Sequence, residues 1–424
     1  MQKIAFILLI LSVCTSNISL SYGIRTELTH IDAGTKYTKL ELLQRMVQRT
    51  KTRARFLASR YTDPTSQVSV PSSPSNGEYL INLSIGIPAQ PLALTLDTGS
   101  DLIWTQCQPC LQCFSQPLPL YDPSNSSTFS DISCDSDLCQ SLPHSACHKQ
   151  CMYAYSYGDG SLTVGSLGSE TFTLGSTQIQ KVGFGCGFLN AGIFRSNESG
   201  IAGFGRGPLS LISQLGYGKF SYCFTSFGES KSSPVLFGSA ADLNNWTSGK
   251  VQSTPLVTNP AVPTLYYLTL TGITVGMTLL EIPKSTFSLK DNGTGGVYID
   301  SGTGMTQLAE PAYKQVKLAF LSQMKLPIAN SSIDAFDLCF RLPSSSSDKV
   351  EVPKFTFHFE DADLELPTEN YMAQDPDNSA ICLVMGKSLD GSTVIGNFQQ
   401  QNVHILYDLE RRKLSFVPAR CDQL

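Results

Sequence analysis

Leu94-Thr-Leu-Asp97-Thr98-Gly99-Ser100 and Val297-Tyr-Ile-Asp300-Ser301-Gly302-Thr303 are one pattern written twice in a chain of 424 residues. Each is an apolar run ending in Asp, followed by a small hydroxyl residue, Gly and a second hydroxyl residue. An Asp closing a buried strand is costly unless it is hydrogen-bonded or paired. The Gly two residues on lets the backbone turn sharply and bring its N–H groups to the carboxylate. Ser100 and Thr303 can donate to the same carboxylates from outside. Each copy is followed about a hundred residues later by two apolar residues and Gly: Ile201-Ala202-Gly203 and Val394-Ile395-Gly396. One Asp-Thr-Gly-Ser is most simply a turn. Two copies with matching partners predict two related lobes, and the length accommodates them.

Around these motifs the pattern is β. Tyr79–Ile85, Ala93–Leu96, Leu265–Leu270 and Val403–Tyr407 are apolar or alternating runs bounded mostly by Gly, Pro, Asn or Ser. Helical stretches are few, with Glu310–Met324 the clearest in the β-rich body and Leu40–Leu57 at helical spacing ahead of it. The expected class is all-β with isolated helices. Charged residues make up only 15% of the chain, and the net charge of −5 gives no basic footprint for nucleic acid.

The N-terminus reads as a leader in two parts. One Lys, the apolar run Ile4–Val13 and a small-residue exit ending near Gly23 have the form of a secretory signal, too short to span a bilayer. Residues 24–66 then carry nine basic and four acidic residues, a net +5, whereas the chain from residue 67 carries 20 basic and 31 acidic, a net −11. A basic helical leader ahead of an acidic body predicts a prosegment held partly by charge, blocking the cleft at neutral pH and loosening as carboxylates protonate near ~4. The Ser- and Pro-rich Thr65–Gly77 reads as the linker that is cut. The expected division is signal 1–22, propeptide and linker 23–75, N-terminal lobe with a Cys-rich insert 76–255, and C-terminal lobe 256–424.

With Cys14 removed with the signal, twelve cysteines remain: Cys107, Cys110, Cys113, Cys134, Cys139, Cys147, Cys151, Cys186, Cys223, Cys339, Cys382 and Cys421. In an exported chain these read as six disulfides, and spacing alone does not choose the pairing. Cys107-x2-Cys110 ahead of His144-x3-His148 imitates a zinc finger, but the halves are too far apart. Asn125, Asn197, Asn245, Asn292 and Asn330 open glycosylation sequons; Asn82 does too, within an expected strand. No apolar tail or later membrane-length run is present, so no membrane anchor is expected.

On these motifs the chain resembles the pepsin family of aspartic proteases, and within it the plant nepenthesin-like group, from about Glu78 to Cys421. The resemblance implies a bilobal pepsin-like fold with the cleft between two β-rich lobes and a β-hairpin flap. It makes Asp97 and Asp300 the catalytic dyad, with Gly99, Gly302, Thr303 and Tyr157 against the substrate. Thr98 and Ser301 would tie the two Asp loops together, supported by Ser100. Trp104 would hydrogen-bond Tyr157 of the flap Tyr157-Gly158-Asp159-Gly160-Ser161. It implies a secreted monomeric endopeptidase of the apoplast or vacuole, acting at acid pH on proteins or peptides without metal or cofactor. The group's cysteine pairing would be 107–110, 113–186, 134–151, 139–147, 223–421 and 339–382. Two departures stand out: Asp159 where animal pepsins have Thr, and Gly304 where a hydroxyl is usual, which would loosen the second loop.

Three rivals are weaker. A non-catalytic pepsin-fold inhibitor of glycosidases generally lacks an intact pair of Asp loops, and this chain has both. A serine hydrolase needs Gly-x-Ser-x-Gly, which is absent. Gly203-x-Gly205-x-Gly207 lacks the spacing and context of a nucleotide-binding fingerprint.

Overall fold

The computed structural model describes residues 23–59, 79–157, 161–192, 197–243, 249–333, 336–343, 350–375, 377 and 379–424, without the side chains of 55–59. The signal, the linker, the flap tip at Asp159 and Asn245 lie outside the described residues.

The architecture is the expected bilobal, mostly β one. In the N-terminal half, strand β2 (Tyr79–Ile85) pairs antiparallel with β3 (Gln90–Asp97), which delivers Asp97 at its end. Strand Gly200–Gly203 lies parallel to β3, with Ala202 opposite Leu96 and Gly203 opposite Asp97. The C-terminal half repeats this arrangement. Val297–Ile299 leads to Asp300, and Thr393–Ile395 lies parallel to it with Ile395 opposite Ile299. The two apolar-Gly motifs are therefore the parallel neighbours of the two Asp strands.

The halves are joined through a sheet in which Lys219–Cys223 pairs with Val403–Asp408, Tyr222 opposite Ile405. Phe220 and Tyr407 stack there at 4.5 Å, and the hydroxyls of Tyr222 and Tyr407 meet at 2.7 Å. Burying such rings is worth about 1.5–3 kcal/mol each.

The leader contributes a strand that its helical pattern did not announce. Strand β1 (Ile24–His30) sits between Ser233–Phe237 and β2, with Ile24 opposite Phe237 and Leu28 opposite Ile81. Ile24 and Leu28 are buried in the main core. Helix α1 (Lys39–Ser59) covers the expected 40–57. It starts with a capping box: the Thr38 N–H donates to Glu41 Oε2 at 2.7 Å and the Glu41 N–H to Thr38 Oγ1 at 3.2 Å. Helix Glu310–Gln323 matches the other expected helix.

All six disulfides form, but four pairings differ from those the resemblance implied. Cys107 bonds Cys186, and Cys110 bonds Cys113, in place of 107–110 and 113–186. Strand β4 (Trp104–Gln106) runs parallel to Thr177–Ala191 with Thr105 opposite Cys186, which sets Cys107 beside Cys186 at 5.3 Å between Cα atoms. Likewise 134–147 and 139–151 replace 134–151 and 139–147. A short helix, Asp137–Gln140, buries Cys139 beside the buried Cys151 and leaves Cys134 for the exposed Cys147. The pairs 223–421 and 339–382 are as implied.

Candidate active site

Both Asp side chains are buried where the ends of their two strands meet, Asp97 2% and Asp300 0% exposed. Their loops match bond for bond. Gly99 N–H donates to Asp97 Oδ1 at 3.0 Å, and Gly302 N–H to Asp300 Oδ1 at 2.9 Å. Ser100 Oγ donates to Asp97 Oδ2 at 2.5 Å, and Thr303 Oγ1 to Asp300 Oδ2 at 2.7 Å. The loops are cross-tied as expected: Thr98 N–H donates to Ser301 Oγ at 2.9 Å, and Ser301 N–H to Thr98 Oγ1 at 2.8 Å. A Cβ on Gly99 would lie 2.8 Å from Asp300 Oδ1, and one on Gly302 2.3 Å from Asp97 Oδ1. Glycine at these two positions is what lets the carboxylates face each other.

Trp104 and Tyr157 also come together, the Trp104 Nε1–H donating to the Tyr157 hydroxyl at 2.7 Å. Tyr157 closes the base of its hairpin, its N–H donating to the Ser161 carbonyl at 2.7 Å. Burial, with the neighbouring Tyr155 and Asp97, pushes the Tyr157 hydroxyl far above its ordinary range, so it stays neutral. The slack expected at Gly304 is absent. Its carbonyl accepts from Phe398 N–H at 2.9 Å, and the next two residues are held by Thr50 Oγ1 and Gln399 Oε1, each 2.8 Å away.

The residue that sequence reading passed over is Arg53. It was counted among nine basic leader residues and given no role. Its guanidinium lies between the two carboxylates: Nη2 is 2.8 Å from Asp97 Oδ1, Nε is 3.0 Å from Asp300 Oδ2, and Nη1 and Nη2 bond Asp97 Oδ2 and Asp300 Oδ1 at 3.3 Å. Arg53 is 1% exposed. Burial works against its charge, but Asp300 and Asp97 outweigh that and hold the proton more firmly than usual. Burial, together with the charge of Asp97 and against the pull of Arg53, raises the Asp300 carboxyl above its ordinary value. A signal was there to be read. The buried positions of α1 are Leu42, Leu43, Met46, Val47, Arg49, Thr50, Thr52 and Arg53. A cation buried on a helix needs an anion to meet it, Asp32 for Arg49 and the two Asp loops for Arg53.

The leader's grip is also less purely electrostatic than its +5 suggested. Leu43, Met46 and Val47 pack in one cluster with Met305, Ile333, Phe336 and Phe398 of the C-terminal half. Arg45 and Arg49 bond Asp32 of the leader itself at 2.9 and 3.0 Å.

Two Asp loops facing each other across a pseudo-twofold β fold define the aspartic protease class. The comparisons agree. Residues 79–239 match the family described as Xylanase inhibitor N-terminal, and residues 265–418 match Xylanase inhibitor C-terminal. The chain is 48% identical to aspartic proteinase nepenthesin-1 of Nepenthes gracilis and 44% identical to nepenthesin-2 of the same plant, in both cases over 94% of this chain and 90% of the relative. Among solved structures, that of edgp superimposes with a TM-score of 0.67 at 18% identity, covering 95% of this chain and 96% of that one, a likeness of fold. The chain belongs to the pepsin family of aspartic proteases, in its nepenthesin-like group, and is an aspartic-type endopeptidase.

Proposed function

We propose that the chain is the zymogen of a secreted acid endopeptidase in which Asp97 and Asp300 cleave the peptide bond and Arg53 occupies their place of action until acid removes it. The observation that carries this is the Arg53 guanidinium bonded to both carboxylates at 2.8–3.3 Å. Two carboxylates this placed do not both ionise readily once the cation leaves, and they share one proton, as in aspartic proteases generally. The ionised member takes a proton from a water between them, the water attacks the peptide carbonyl, and the protonated member donates to the carbonyl oxygen. Gly99, Gly302 and Thr303 border the peptide, and Tyr157 covers it.

The linker 65–77 is the cutting site, the leader ends near residue 75, and the lobes divide near residue 255. The signal directs export to the extracellular space or to a vacuole, and the mature enzyme is a monomer. Asn125, Asn292 and Asn330 are exposed and available to glycans. Asn197 is half-buried, with its amide donating to the leader's Ile31 carbonyl at 3.2 Å. No helix among the described residues is long and apolar enough to cross a membrane.

The test follows mass and peptidase activity of the purified precursor against pH, alongside its Asp97→Asn form. The expected result is an inert precursor at neutrality that loses about 45 to 55 residues on acidification, set by where exposed linkers are cut. Full activity of the unshortened chain at pH 7 would exclude the scheme, and acid shortening of purified Asp97→Asn precursor would exclude self-cleavage.

A further inference from the structure

The flap is joined to the cysteine-rich insert by a chain of buried hydrogen bonds centred on Asn190. The flap's strands are Gln150–Ser156 and Leu162–Leu174, and Thr163 stands opposite both Tyr155 in the hairpin and Asn190 on the adjoining strand Thr177–Ala191. The Thr163 hydroxyl donates to Asn190 Oδ1 at 2.8 Å, which leaves it to accept the Tyr153 hydroxyl 2.9 Å away. Asn190 Nδ2 donates to the Gly187 carbonyl at 3.0 Å and reaches Cys113 Sγ at 3.7 Å. The Asn190 backbone N–H donates to the Gln112 carbonyl at 2.7 Å. All three side chains are at most 2% exposed.

The surroundings are shaped for this chain. The register shifts where Val164 faces Leu189 but Gly165 faces Gly187, so Phe188 is an extra residue, a bulge of the kind that re-aims neighbouring groups. The Phe188 carbonyl is thereby turned to the insert and accepts the N–H groups of Leu111 at 2.7 Å and Gln112 at 3.2 Å. A Cβ at Gly187 would lie 2.4 Å from Asn190 Oδ1 and 2.8 Å from Thr163 Oγ1, so only Gly leaves room there. The loop received on the other side is closed on itself by the Cys110–Cys113 disulfide, which fixes Gln112 and Cys113.

We infer that Asn190 is a positioning residue for peptide cleavage: through Thr163 and Tyr153 it transmits the rigidity of the Cys110–Cys113 loop to the flap. This rests on the reading of Tyr157 as the residue that covers the substrate. Trp104 holds the flap at Tyr157, and the Asn190 chain holds it one step further back, where the hairpin joins the body. A buried chain with every member satisfied rigidifies what it connects, and small misplacement of a covering group costs turnover without removing any reacting atom.

The experiment measures kcat and KM of the acid-shortened enzyme for one peptide, normalised to sites titrated with pepstatin. The variants are Asn190→Ala, Thr163→Val, Thr163→Ser, the Cys110→Ser/Cys113→Ser pair, and Tyr157→Ala as reference. Asn190→Ala and Thr163→Val should each lower kcat about tenfold. Combined with each other, or with the cysteine pair, they should lose no more than one alone, because they break the same chain. Thr163→Ser should keep near-normal turnover. Unchanged kcat in Asn190→Ala and Thr163→Val, a change in KM alone, or fully additive losses would overturn the inference while Tyr157→Ala remains impaired. If Tyr157→Ala also turns over normally, the flap reading itself fails and takes this inference with it.

Discussion

The two Asp loops are alike to within 0.2 Å in every matched bond, yet what lies over them differs completely. Over the first stand the flap, Trp104 and the disulfide insert, all between residues 104 and 191. Against the second lie Met305, Ile333, Phe336 and Phe398, an apolar surface covered by Leu43, Met46 and Val47 of the leader helix. The repeated motif makes the chemistry symmetric, because the same four residue types turn the same way around each carboxylate. The coverings differ in kind: the first half carries the hairpin of Tyr157, on which the proposed function places closure over a peptide, and the second holds the leader's helix. The Arg53 side chain bonds both Asp side chains, and it comes from neither half.

The largest effects test the symmetry. Asp97→Asn and Asp300→Asn in the shortened enzyme should each lower kcat at least about 10²-fold, since either change removes the acid–base pair. Thermal melting of the shortened form should move little. If either variant kept roughly a tenth of its activity, the loops would not be equivalent and the shared-proton mechanism would fall.

Next comes the contact of Arg53 with both carboxylates. Removing one partner of a buried, hydrogen-bonded charge set costs about 3–5 kcal/mol. Arg53→Gln should therefore shift the leader towards its open form by about 10²–10⁴-fold, giving a precursor that binds pepstatin before it is shortened. The pH dependence has a definite sign. Burial and Asp97 raise the Asp300 carboxyl while Arg53 pulls it down, so once Arg53 leaves the carboxyl binds its proton more tightly than in the closed precursor. The open form therefore takes up the proton first, and falling pH costs Arg53 one of its two anions and loosens the leader. Asp32→Asn should move the same threshold upwards by a smaller amount, because Asp32 holds Arg45 and Arg49 within the leader but touches neither Asp loop through any bond described above. The pH at half-maximal shortening measures both. A threshold unmoved by Arg53→Gln would show that the apolar face alone keeps the leader closed.

How much of this was legible depended on whether the information was local. The Asp loops, their apolar-Gly partners and the Trp104–Tyr157 pair are short patterns whose roles follow from the residues within them and from the resemblance, and the structure brings all of them together. Strand β1 was missed because IRTELTH alternates weakly and its place is set by partners some fifty and two hundred residues away. Arg53 does not stand out in the leader's net charge of +5, which is blind to the helix face each cation occupies. Four disulfides differ from the implied pairing, and Cys107 shows why: it follows directly on strand β4, which carries it to Cys186 and away from its sequence neighbour Cys110. That pairing is a property of sheet register, which no spacing of cysteines encodes.

The smallest effect separates the two halves by their tolerance of acid. In the second half His404, buried on the sheet that joins the lobes, bonds Ser221 Oγ at 3.0 Å, and burial lowers its pKa from 6.5 to about 4. A depressed pKa means that the unfolded chain takes up the proton first. Stability is present in full above pH 6.5 and is lost as pH falls towards 4, by about 3 kcal/mol at most. In the first half the corresponding group is Glu170. Burial opposes its charge, but hydrogen bonds from Ser126, Thr128, Tyr121 and the Thr171 N–H prevail and hold it below its ordinary value of 4.5. It too loses stability in acid, but only below 4.5. His404→Gln keeps a donor for Ser221 and cannot be protonated. It should melt close to the parent at pH 7 and a few degrees above it at pH 4.5, at about 1–2 °C per kcal/mol for a body of this size. Glu170→Gln removes four charge-assisted bonds and should melt lower at both pH values, with the deficit narrowing only below pH 4.5. An equal gap between His404→Gln and the parent at pH 7 and 4.5 would mean that His404 is not the group through which the second half feels acid.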